Sequence, residues 1–159
     1  MLAIMFVLTG CPLLTEKSMD EGSYDVPAWL PGNWAEVDSA GNKKDVYLLK
    51  KEDAKGNLKC YDVDGVGKPD MDKVRRVILS KVEDKVFLSI YNSSDNESDN
   101  GYYVYQFIME SKTAFTLKGV KEYSIDADSA PADILEYLKK HKDDASIYDP
   151  KEVSHYKKQ

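Results

Sequence analysis

The sequence breaks into seven short segments, 33–38, 45–51, 57–64, 74–82, 85–92, 102–110 and 113–120, divided by clusters of Gly, Asn, Asp and Ser. Segments this short with turn residues between them read as antiparallel strands rather than helices. Ser39, Ala40, Gly41 and Asn42 make one expected hairpin turn, and Asp53, Ala54, Lys55 and Gly56 another. Glu83-Asp84 and Ser111-Lys112 make two tighter ones. A period of two is clearest in the middle of the chain, where Val86, Leu88 and Ile90 share one face and Phe87, Ser89 and Tyr91 the other. Tyr103, Tyr105, Phe107 and Met109 likewise alternate with Tyr102, Val104, Gln106 and Ile108. Bulky groups on both faces imply a sheet covered on more than one side.

After Asp126 the period changes. Ile134, Leu135 and Leu138 fall on one face of a helix spanning about 132–142, with Pro131 in its first turn. Ser129 or Ala130 stands at its cap, and the basic run Lys139, Lys140, His141, Lys142 suits the negative end of the helix dipole as a solvated helix end. A last short strand is expected at 153–157. The fold class is therefore mainly β: an antiparallel up-and-down barrel or strongly curved sheet of about eight strands with one C-terminal helix. With 159 residues, 42% hydrophobic, a single such domain can bury a core.

Residues 2–8 are an apolar run too short to span a bilayer but long enough for a signal-peptide core. It ends in Leu8-Thr9-Gly10-Cys11, which resembles the lipobox of bacterial lipoproteins. The resemblance implies a signal peptide over 1–10, acylation of Cys11 and attachment to the cell envelope, at the outer membrane or a periplasmic or extracellular surface. Two or three acyl chains suffice for stable anchoring where one does not. Residues 12–26 mix turn formers with charges and read as a tether, so that 11–26 carries the lipid and 27–159 forms the domain. With Cys11 acylated, Cys60 has no disulfide partner within the monomer and is expected as a buried thiol.

Pro31-Gly32-Asn33-Trp34 heads the first strand, and a Gly-x-Trp there followed by up-and-down strands looks like the lipocalin and related calycin barrels. The resemblance implies that Trp34 plugs the closed end of a barrel. The family's late Arg, which packs on that Trp, has no counterpart among Arg75 and Arg76, the only arginines. The chain is also similar to small bacterial lipoproteins of uncharacterised function in which a strand pair like 86–90 and 103–107 precedes a helix like 134–138.

No motif for nucleophilic catalysis, phosphate binding or clustered metal ligands is present, so the chain is read as a non-enzyme without a cofactor. Asp62-Val63-Asp64-Gly65 has the alternating carboxylates of a calcium loop but lacks its remaining acidic ligands, and reads as a strand-ending turn. His141 and His155 lie at a helix end and near the C-terminus with no nucleophile in sequence beside them. A net charge of −6 argues against nucleic acid as a partner. The aromatic residues Tyr47, Tyr91, Tyr103, Tyr105 and Phe107 fall on expected strands, where they can line a barrel mouth and stack on a ligand. Two functions follow: a lipid-anchored envelope protein holding a small hydrophobic ligand in its barrel, or an envelope interaction protein whose barrel is filled by its own side chains and whose loops meet another protein. An eight-stranded barrel permits either.

Overall fold

A computed structural model of the chain describes residues 13–53, 55–92, 101–121 and 125–159. The lipobox, Cys11 and residues 93–100 lie outside the described residues. Nine strands form one sheet: β1 (Leu14–Thr15), β2 (Gly32–Val37), β3 (Lys43–Lys51), β4 (Asn57–Val63), β5 (Pro69–Val82), β6 (Lys85–Asn92), β7 (Gly101–Ser111), β8 (Ala114–Val120) and β9 (Tyr148–Lys158). Strands β2 to β9 pair antiparallel in sequence order, and β9 returns to β2 through Trp34↔Lys158 and Val37↔His155. The result is a closed eight-stranded up-and-down barrel with one extra strand and a single C-terminal helix, α1 (Pro131–His141).

The alternation of side chains sorts two cores. Trp34, Leu49, Leu58, Val77, Leu79 and Leu88 point into the barrel, together with Phe107, Phe115 and Leu117. Phe87 and Val104, their odd-parity neighbours, point outward and pack with Val82, Val120, Ile134 and Leu138 beneath α1. Helix α1 therefore covers the outer wall, which explains why two middle strands are bulky on both faces. Ala130 caps the helix without a side-chain hydrogen bond, and Pro131 occupies its first turn.

β9 begins at Tyr148 rather than 153, and three further elements differ from the expectations. First, 13–26 is no free tether. Leu13, Met19 and Val26 are buried, the Leu13 amide donates to the Val120 carbonyl at 2.6 Å, and Val104 donates back to Leu13 at 3.0 Å. β1 pairs with the part of β7 that lies beyond its β8 partners, Leu14↔Tyr103 and Thr15↔Tyr102. The segment hides from a periodicity search because its buried residues are spaced irregularly around backbone hydrogen bonds. Second, β5 begins at Pro69 rather than 74, since its first turn pairs with β4 by main chain while its side chains stay in water. Third, Lys142 is not a solvated helix end: it is 7% exposed, with its ammonium 2.6 Å from Asp143, 3.0 Å from Asp84 and 3.3 Å from Glu83. These contacts tie the end of α1 to the β5–β6 turn.

The first segment also closes the barrel. Trp34 is 1% exposed, donates from Nε1 to the Leu30 carbonyl at 2.8 Å, and meets Trp29 and Phe115 at ring distances of 6.2 and 4.7 Å. A lysine covers the face of this Trp. Lys158 Nζ lies 5.5 Å from the Trp34 ring centre and donates to the Trp29 and Pro31 carbonyls. Gly32 makes room for it: its φ of +132° suits glycine, and an added Cβ would stand 3.3 Å from Lys158 Cε.

Candidate functional site

Above the Trp34 floor the barrel is not filled. A cavity of about 250 Å³ runs between the two walls, lined at its base by Trp34, Leu49, Phe115 and Leu117. Val77, Leu88 and Ile90 form its apolar side, and Tyr47, Tyr103, Tyr105 and Tyr156 carry most of its oxygen. Cys60 and Arg75 complete it. The connections β2–β3, β4–β5 and β6–β7 surround the end away from Trp34, so the strands' inward faces lead from a sealed floor to that end.

Arg75 is the one charged side chain on the described lining. Parity explains its place: β5 turns Arg75, Val77 and Leu79 inward and Arg76 outward, where it donates to Asn57 Oδ1 at 3.3 Å. Arg75 Nη2 donates to Asp62 Oδ1 and lies 4.0 Å from Cys60 Sγ, while the guanidinium carbon stands 5.4 Å from the Tyr47 ring centre. Burial opposes the Arg75 charge, but Cys60 and Asp62 more than offset it, so the guanidinium is held above its ordinary range. Burial pushes the Cys60 thiol up, with Arg75 pulling the other way, so Cys60 is a neutral wall atom rather than a nucleophile. Burial also pushes the Tyr47 hydroxyl up to about 12, with Asp45 and Glu36 adding to it, and holds Tyr156 above the ordinary tyrosine range. The Tyr47 and Tyr156 hydroxyls thus stay neutral and able to donate near neutral pH.

Of the five aromatic residues singled out from sequence, Tyr47, Tyr103 and Tyr105 reach the cavity. Phe107 is 3% exposed and supports the floor, its ring 5.0 Å from that of Phe115. Tyr91 stands on the outer wall, 5.2 Å from the Tyr102 ring, because it shares parity with Phe87 and Ser89. Arg75, Cys60 and Tyr156 were missed, although the same parity that selects Val77 and Leu49 would have turned Arg75 inward. Cys11 lies outside the described residues.

The remaining polar candidates have structural partners. Asp64 accepts from the Val66 and Lys68 amides at 3.0 and 2.8 Å, so it closes the β4–β5 turn, and Asp62 faces Arg75. Among the described residues no group of three His, Cys, Asp or Glu side chains is placed to hold a metal ion. The His141 ring lies tilted against that of Tyr137, centre to centre 4.7 Å. His155 Nδ1 lies 2.8 Å from Thr116 Oγ1, which donates to Glu110; these three residues form a cross-strand polar contact on the outer wall. Among the described residues no helix is long and apolar enough to cross a membrane.

No protein-family model matches the chain, and no curated protein matches it either. Among solved structures it is similar to a DUF4909 family protein from Staphylococcus aureus subsp. aureus Mu50, at 13% identity and a TM-score of 0.48 over 83% of this chain and 98% of that one.

Proposed function

We propose that the protein is a non-enzymatic, lipid-anchored component of the bacterial cell envelope that holds a small hydrophobic ligand inside its barrel. The observation that carries the ligand reading is the cavity of about 250 Å³ between the Trp34 floor and the Tyr47, Tyr103 and Tyr105 side chains. A barrel evolved only as a scaffold gains stability by filling such a space, since cavity surface costs free energy in proportion to its volume. The volume lies below the ~300–1,000 Å³ of drug-sized ligand sites, which favours a single ring or a short chain over a long lipid. The anchor rests on the lipobox-like Leu8-Thr9-Gly10-Cys11.

Native mass spectrometry of the full chain purified from its own organism tests the ligand. A small molecule retained near one-to-one supports it. An empty protein moves the weight to the interaction reading, with crosslinking to envelope proteins as the next step. Cys11→Ser tests the anchor, and continued membrane association of that variant would count against it.

A further inference from the structure

We infer that the ligand is an anionic amphiphile whose carboxylate binds Arg75 by displacing Asp62. This rests on the cavity-binding reading and adds the chemistry of the ligand's polar end. Arg75 is the sole charged group among the described lining residues, set in a wall otherwise made of aliphatic and aromatic carbon, tyrosine hydroxyls and the Cys60 thiol. Arg75 is only partly buried, its side chain 35% exposed, but a cation facing an apolar cavity still favours an anion, because a charge-assisted hydrogen bond is stronger than a neutral one.

Two details say that Asp62 is a stand-in rather than a permanent partner. Asp62 does not line the cavity: its side chain is 41% exposed, so it can swing into water with little desolvation to recover. Asp62 and Cys60 also meet the same nitrogen, Nη2, whereas a planar guanidinium offers five donors in a fork matched to a bidentate carboxylate. Tyr47 lies under the guanidinium, its ring centre 5.4 Å from the guanidinium carbon. A ligand entering with its apolar end toward Trp34 brings its head to this fork, and Asp62 holds the charge balanced until it arrives.

The test compares octanoate with 1-octanol, which share a chain and differ in the head. Binding is measured by calorimetry to the full chain carrying Cys11→Ser, which leaves every cavity residue in place. Octanoate should bind roughly ten-fold tighter or more, the worth of one charge-assisted hydrogen bond. Arg75→Met should abolish that preference and leave 1-octanol binding unchanged. Asp62→Asn should strengthen octanoate binding several-fold by removing the competitor, without affecting 1-octanol. Should Arg75→Met fail to fold, Arg75→Lys decides, keeping a preference that is reduced. Equal affinities for the two compounds, or weaker octanoate binding in Asp62→Asn, would overturn the head-group assignment while the cavity reading stands. Binding of neither compound would remove both.

Discussion

Trp34 ties several parts of the fold together: its ring closes the floor, its Nε1 donates to the Leu30 carbonyl, and Lys158 covers its face. Trp34→Ala should cost about 3–5 kcal/mol by urea denaturation, the range for truncating a fully buried large aromatic; a loss near 1 kcal/mol would mean the floor collapses around the gap. The buried tyrosines give a second residue-scale expectation. Tyr47 and Tyr148 are each pushed to about 12, mainly by burial, against about 10 in an unfolded chain. A raised folded pKa contributes stability that is fully present below pH ~10 and is lost as pH rises through about 12. Ultraviolet titration should show these tyrosines ionising late, and the unfolding free energy falling across that window. Which residues face the cavity was legible one strand at a time, since period-two parity correctly groups Val86, Leu88 and Ile90. Tyr91 was assigned with the others by its chemistry alone, and parity carries it to the opposite side of the wall.

At the scale of elements, the C-terminal end of α1 and the N-terminal segment attach to the barrel by different physics. The Lys142 clamp is electrostatic. Hydrogen bonds from Lys142 and Lys85 hold the Asp143 carboxyl down to about 2, and hydrogen bonds to Asp143 and Asp84 hold the Lys142 ammonium above its ordinary range. A depressed carboxyl pKa contributes stability present above the ordinary value near ~4 and lost as pH falls through about 2. Hydrogen exchange of α1 amides should therefore accelerate between pH ~4 and about 2 relative to the barrel strands, and Lys142→Ala should weaken that pH dependence, with Lys85 still paired to Asp143. The N-terminal segment is held instead by apolar burial and main-chain hydrogen bonds. A chain beginning at residue 27 forfeits Leu13 and Met19, each worth about 1.5–3 kcal/mol, as well as β1. Its unfolding midpoint in urea should fall well below that of a chain beginning at Leu13.

For the whole molecule, closure dominates. The pair Trp34↔Lys158 joins the two ends of the barrel, and β1 reaches β7 across most of the intervening sequence. Because such distant contacts must form before they are rewarded, refolding from urea should take milliseconds to seconds rather than microseconds. The docked N-terminal segment also changes how an anchored molecule would sit. Cys11 precedes the buried Leu13 by two residues, a reach of at most ~7 Å, so an acylated Cys11 would hold the barrel against the bilayer rather than at the end of a long tether. The sequence by itself determined eight of the nine strands, the helix and the alternation of faces along 86–91 and 102–110, because these depend on local propensity and a period of two. Only the tertiary structure decided that the sheet closes, that an irregular segment docks on its outer wall, and that Lys158 covers Trp34. It alone set Arg75 against Asp62 at the cavity, since each of these depends on residues distant in sequence meeting across the barrel.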